Sequence, residues 1–240
     1  HILIDSTNDA ILFTGENGSL YQPVYGSDDD LVLYLPFSEN LINVSNTTYD
    51  RSPYGNDGTL VGMNKGDQIL DGNATGWSPG KYGNAMGFDG VDDYIVFGTD
   101  IDIFKPTTSI SVGMWFKNDI SETSTRLISM AGADAKRGWL MRLPSNTVAF
   151  HIHDGTAYRG VTSDALSIGE WHYVVATYDK SYLRIYVDGI LSGTPVAETD
   201  DISYLTSASL YIGVREGLTA SEFFDGSIDE VRIYRRALAP

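Results

Sequence analysis

Short runs of β-branched and aromatic residues, each broken after about ten positions by Gly, Asn, Asp or Ser, follow one another along this chain. Runs of that length and spacing read as the strands of a sandwich or barrel. Leu31–Phe37, Asn84–Phe88, Asp93–Phe97, Ser109–Phe116, Arg126–Met130, Gly138–Leu143, Thr147–His153, Trp171–Tyr178, Leu183–Val187, Ser209–Ile212 and Ser227–Tyr234 are the strand candidates. No segment of helical length repeats its apolar residues with a period of 3.6, which excludes a fold built from βαβ crossovers. At 240 residues one large sandwich is the expected size class, able to bury roughly three quarters of the surface of its unfolded chain.

Several runs also say which face is buried. In Thr147–His153 the apolar Val148, Phe150 and Ile152 share one face and the polar His151 and His153 share the other, the pattern of a strand with a core side and a solvent side. Trp171–Tyr178 is apolar on both faces and predicts a central strand with cover on each side. Trp115 and Trp171 alternate into apolar strands and are assigned to the core, as is Trp139 beside Met141 and Leu143. Asp188-Gly189 has the chemistry of a positive-φ hairpin turn. The first residues are less regular. Residues 1–29 read as an N-terminal extension, an extra hairpin (Ile2–Ile4 with Ala10–Phe13) or the tail of a preceding domain, and residues 30–240 as the main domain.

The 32 acidic residues against 16 basic ones give a formal charge of −16, which repels phosphate backbones and sets nucleic acid aside as a partner. The lack of cysteine excludes disulfides, thiolate metal sites and a cysteine nucleophile. No stretch approaches the ~20 apolar residues that span a bilayer as a helix. Asn17, Asn43, Asn46 and Asn73 each head an Asn-x-Ser/Thr acceptor, which fits an extracellular, cell-surface or virion-surface protein. The chain opens at His1 without an initiating Met, and the expectation is one part of a larger multidomain protein.

Eight motifs then occur in one order: Leu33–Phe37, Tyr49–Thr59, Gly80–Met86, Phe88–Ile95, Ser109–Val112, Gly169–Val174, Tyr186–Gly189 and Asp225–Tyr234. Together they resemble the laminin G-like, concanavalin A-type jelly-roll family over about Asp30 to Pro240. The resemblance implies an all-β, two-sheet antiparallel jelly-roll β-sandwich, used by most members to bind glycans or proteins and by some relatives to cleave polysaccharides. It also places the Asp of Ile228-Asp229-Glu230 beside the early loop Asp50–Gly58, so that Asp50, Asn56 and Asp229 would hold a structural Ca²⁺, an ion that collects six to eight oxygens. Asx-turns by Asp50 and Asn56 are the other reading of that loop. Asp89-Gly90 and Asp92-Asp93 read as a hairpin turn rather than a second metal site.

A sugar site needs an aromatic face and planar polar groups. Trp139, Tyr158, Arg142, Arg159, His151 and His153 are the candidates, with Arg142 and the two His on strand faces opposite apolar ones and the core the other reading for Trp139; Trp77 in the Gly-rich loop Gly72–Gly80 is a rim candidate. Catalysis lacks its signatures. The Glu-x-Asp-x-(x)-Glu run of the related glucanases does not occur, adjacent Asp229 and Glu230 point to opposite faces of a strand, and His151-Ile152-His153 echoes only part of the alginate-lyase motif set. The expectation is a non-catalytic module for a glycan or glycoprotein ligand, with a protein-binding adhesion domain as the alternative and a hydrolase or lyase behind both.

Overall fold

The computed structural model describes residues 2–4, 11–13, 28–38, 46–63, 76–99, 101–121, 124–132, 137–205, 207–219 and 222–239. Its strands are β1 (Ile2–Ile4), β2 (Ile11–Phe13), β3 (Leu31–Leu35), β4 (Thr47–Thr48), β5 (Gly58–Val61), β6 (Gly76–Pro79), β7 (Asn84–Asp89), β8 (Tyr94–Thr99) and β9 (Ile110–Asn118). They continue with β10 (Thr125–Ala131), β11 (Gly138–Leu143), β12 (Ala149–His153), β13 (Tyr158–Thr162), β14 (His172–Tyr178), β15 (Tyr182–Val187), β16 (Ile190–Ala197), β17 (Ser209–Ile212) and β18 (Asp225–Tyr234). The helical content of the described residues is the 3-10 turn Asp102–Phe104 and a 3-10 position at Glu222, and no helix is long and apolar enough to cross a membrane.

Two antiparallel sheets make the jelly-roll sandwich. The first has the order β13-β12-β11-β10-β17-β8-β5-β4, and the second β16-β15-β14-β9-β18-β7-β6, with β3 pairing the later half of β18. β1 and β2 pair with each other as a hairpin; the rest of the extension up to residue 27 lies outside the described residues, as do Asn17, Asn43 and Asn73. The turn at Asp188-Gly189 has φ of 52° and 82°, as its composition predicts, and joins β15 to β16.

Alternate residues of the facing strands build the core. Ile110, Val112, Met114 and Phe116 of β9 and Val174, Ala176 and Tyr178 of β14 meet Trp139, Met141 and Leu143 of β11 and Phe150 and Ile152 of β12, all buried. Trp139 is fully buried and donates its Nε1 hydrogen to the carbonyl of Phe104 at 3.1 Å, so its one polar atom is satisfied inside the core.

Three assignments change. Trp115 lies half-buried on the outer face of the second sheet, because β9 turns Met114 and Phe116 inward and its intervening residue must point away. Trp171 is half-buried just before β14. β14 is central but only partly covered on its outer side: Val174, Ala176 and Tyr178 enter the core, while on the other face Thr177 is buried and Tyr173 and Val175 stay half-exposed. We predict that Trp139→Ala costs about 3–5 kcal/mol, the usual range for deleting a buried aromatic, measured as a shift in the urea midpoint at unchanged slope.

Candidate functional site

The strand period sets the outer face of β10–β13. With Trp139, Met141 and Leu143 in the core, Arg142 points outward; with Phe150 and Ile152 in the core, so does His151. Register brings them together: Arg126 sits directly opposite Arg142, and His151 stands between Leu140 on one side and Gly160 on the other. A Cβ at Gly160 would lie 2.3 Å from His151 Cδ2, so the glycine is what lets the imidazole rest on β13. Tyr158, two residues earlier on β13, presents its ring edge-on to both His151, 6.0 Å away, and His153, 5.1 Å away.

The polar partners are unevenly shared. Arg126 is buried, donates from Nη2 to Glu222 Oε1 at 2.7 Å and reaches Ser124 Oγ from Nη1 at 3.2 Å. Arg215 binds the other oxygen of Glu222. Arg142 Nη1 reaches the same Ser124 hydroxyl at 3.4 Å. Burial, then the neighbouring Arg142 and Arg126, push the His151 imidazole down to about 4, so it is neutral at physiological pH. Its Nδ1 is buried with no partner among the described residues.

The remaining candidates divide. His153 is buried rather than displayed beside His151, and its Nδ1 accepts the Gly155 N–H at 2.9 Å. Arg159 pairs with Asp154 at 2.9 Å and Glu198 at 3.2 Å, so its charge is already matched. Trp77 is on an edge strand of the second sheet, not in a loop; it packs on the core with its ring edge-to-face on Phe37 at 6.1 Å. The sugar candidates thus fall on different sheets, and only Arg142, His151 and Tyr158 share one open face.

The metal candidates also differ among themselves. Asp50 Oδ1 accepts the N–H groups of Tyr34 and Ser52, both at 2.8 Å, and Oδ2 accepts Ser52 Oγ at 2.6 Å and Asn56 N at 2.7 Å. Four donors use the roughly four lone-pair sites of a carboxylate, so Asp50 organises its own loop. Asn56 extends that loop, donating from Nδ2 to Val32 O at 3.1 Å. Asp229, fully buried on β18, accepts Tyr82 N–H at 3.0 Å on Oδ2 and has no donor to Oδ1 among the described residues. Burial first and the adjacent Glu230 second raise its carboxyl to about 7. The Asp89–Asp93 segment turns the chain, Asp89 Oδ1 accepting Val91 N at 2.8 Å, but it is not the expected hairpin: β7 and β8 lie in different sheets, so the turn crosses between them. The carboxylates of Asp89, Asp92 and Asp93 lie within 4.8 Å of one another.

Sequence reasoning missed Arg126, Ser124 and Glu222. Arg126 heads a run read only as a strand, and Glu222 arrives from a segment 96 residues away, a distance no local pattern encodes. It also missed the outer cluster of the second sheet, where Trp115 meets Tyr173 at 5.2 Å and Tyr82 at 5.9 Å under Lys81 Nζ at 4.5 Å. Placing Trp115 on the outer face would have been the signal.

Residues 89–240 match the family described as the concanavalin A-like lectin/glucanases superfamily. A comparison with curated protein sequences gives no match. Among solved structures, domain 4 of AbnA, an extracellular GH43 arabinanase from Geobacillus stearothermophilus in complex with arabinotriose, has a TM-score of 0.58 at 19% identity, covering 88% of this chain and 95% of that one. The binding domain of Paraclostridial Mosquitocidal Protein 1 has a TM-score of 0.65 at 14% identity, over 88% of this chain and 50% of that one. A structure of botulinum neurotoxin type C, whose cell entry depends on interaction with two ganglioside molecules, has a TM-score of 0.62 at 15% identity, over 89% and 49%. The chain spans about half the length of the botulinum and mosquitocidal chains it matches. At these identities the likeness is one of fold.

The His151 geometry carries a pH prediction. An unfolded chain protonates this imidazole near its ordinary value of about 6.5, whereas the folded one resists until about 4. The unfolded state therefore binds more protons in that window, and stability falls as the pH drops through it. Denaturant titrations at pH 7 and pH 4.5 should show His151→Gln losing less stability on acidification than the parent. An equal loss would contradict the assignment.

Proposed function

Because this chain belongs to the concanavalin A-like lectin/glucanase superfamily, we propose that it is a non-catalytic binding module that holds a carbohydrate on the outer face of its first sheet. The observation that carries this reading is the meeting of Arg142, His151 and Tyr158 on one open face. A sugar ring offers hydroxyls to planar donors and acceptors and C–H faces to flat rings, and this face supplies both. Domain 4 of AbnA, which shares the fold, was solved with arabinotriose. The module would act outside the cell, on a cell or virion surface or in a secreted protein, as one domain of a longer polypeptide.

A shallow face of this kind buries little of a sugar, so a single site should bind at about 10–1000 µM, or about 4–7 kcal/mol, and useful adhesion would draw on several copies. Joint replacement of Arg142, His151 and Tyr158 by Ala should abolish the glycan-array signal while leaving the far-ultraviolet circular dichroism spectrum unchanged. A triple variant that binds like the parent refutes this placement. The competing reading, a protein-binding adhesion domain, draws on the half-exposed Trp115–Tyr173 cluster of the other sheet; loss of cell adhesion on Trp115→Ala with an empty glycan array would favour it.

Calcium enters the proposal as a structural ion at Asp229 rather than at all three expected residues. Asp229 Oδ1 is a buried oxygen with no donor among the described residues, whereas Asp50 is saturated by N–H and O–H donors that a cation would have to displace. Ligation confined to the folded state raises the melting temperature. Millimolar Ca²⁺ should therefore raise Tm in the parent and not in Asp229→Asn, and a parent whose Tm ignores both Ca²⁺ and EDTA removes the ion.

A further inference from the structure

The face that holds Arg142 reverses the charge of the rest of the molecule. The chain carries a formal charge of −16, yet here Arg126 and Arg215 share the one carboxylate of Glu222, and Arg142 stands against Arg126. Both oxygens of Glu222 are taken, one by Arg126 and one by Arg215. Arg142 has no carboxylate within ion-pair distance among the described residues. It stands directly opposite Arg126 across the β10–β11 ladder, an arrangement of like charges that destabilises a sheet by itself.

The two guanidinium groups also converge. Nη1 of Arg126 and Nη1 of Arg142 lie 3.2 and 3.4 Å from the same Ser124 hydroxyl oxygen. Arg126 is buried and leaves its Nε without an acceptor among the described residues. Beside the pair, His151 rests on Gly160 and stays uncharged in their field, so it adds a hydrogen-bonding ring without a third repelling charge. Other arginines are matched, Arg159 to Asp154 and Glu198, Arg184 to Asp179, Arg232 to Glu230, and Arg236 to Asp28 and Asp30; Arg51, over the Tyr49 ring, and Arg137, on the Ser203 hydroxyl, have no carboxylate among the described residues but do not face a second guanidinium in a sheet. Two guanidinium groups facing each other across a ladder, one of them buried with an Nε that has no acceptor among the described residues, are an arrangement that an anion would stabilise.

We propose that the carbohydrate recognised on this face is an acidic one, whose carboxylate or sulfate group docks on the fork of Arg142 with Arg126 behind it. The proposal rests on the carbohydrate reading above and narrows it to a ligand class. The planar, always-charged guanidinium is the side chain best matched to such oxyanions. Tyr158 and neutral His151 then flank the ring that carries the anion. Because the remaining surface is strongly acidic, selectivity for the charged sugar has to come from this local cluster and not from the overall field.

The test is a glycan array that pairs acidic and neutral members of each backbone, uronates against their carboxyl-reduced forms and sulfated glycans against desulfated ones, probed with the whole chain. The expected result is an acidic member binding at least tenfold more tightly than its neutral partner. The uronate and sulfate arms identify which oxyanion is read. Arg142→Gln should erase the difference within a pair and Arg142→Lys should keep part of it, which a merely structural role would not do. Equal signals within every pair overturn the acidic-ligand proposal and leave the carbohydrate reading standing; an array silent for all members overturns both. The comparison within pairs uses the unmodified protein, so it decides the matter even if a variant fails to fold.

Discussion

Two sheets packed face to face through alternate residues are the constraint from which the rest of this molecule follows. The hydrophobic effect draws Trp139, Phe150, Val112, Val174 and their neighbours into one layer. Because successive strand residues point to opposite faces, fixing that layer fixes what lies outside it. Arg142 faces outward because Met141 and Leu143 face inward, and Trp115 because Met114 and Phe116 do. A slip of one residue in β11 would bury a guanidinium and expose a core aromatic, so the register of the binding face is protected by the whole core.

Within that frame the candidate site is made by close packing and by electrostatics together. Gly160 gives up a side chain so that His151 can lie on the neighbouring strand. Burial and two guanidinium groups then hold the ring neutral, which keeps a second-sphere positive charge from adding to the Arg126–Arg142 pair. Glu222 offsets only part of that pair's repulsion, since it also serves Arg215. The result is a half-buried, electropositive patch on an acidic molecule, a setting that favours charge-assisted hydrogen bonds to a ligand.

Buried ionisable groups pull the stability of the fold in opposite directions across the acid range. Burial, with Asp89 next, raises the carboxyl of Asp93 to about 7, and burial with Glu230 does the same to Asp229. The folded state holds protons on these groups that the unfolded chain releases near pH 4, so their contribution is lost as pH rises from there towards 7. His151 has the reverse dependence over nearly the same interval. Buried carboxyls at Asp93 and Asp229 and the His151 imidazole thus act on stability in opposite directions over that interval.

Most interior strands were legible in the chain because a central strand must alternate or run apolar. All eleven runs read as strands are strands, and Asp188-Gly189 turns where its residues require positive φ. Five strands escaped: the sheet edges β13, β4, β16 and β6, and the short β5 beside β4. Edge strands need no strong apolar pattern, and Gly160, Gly193 and Pro195 interrupt two of them. The site divides the same way. Arg142 and His151 were visible as polar residues between apolar ones, a property of one strand at a time. That Arg126 faces Arg142, that Glu222 is shared, that His153 is buried and that Asp50 is saturated by its own loop all depend on contacts between segments far apart in the chain. Local sequence fixes which side of a strand a residue takes; only the packed sheets decide which charges meet there.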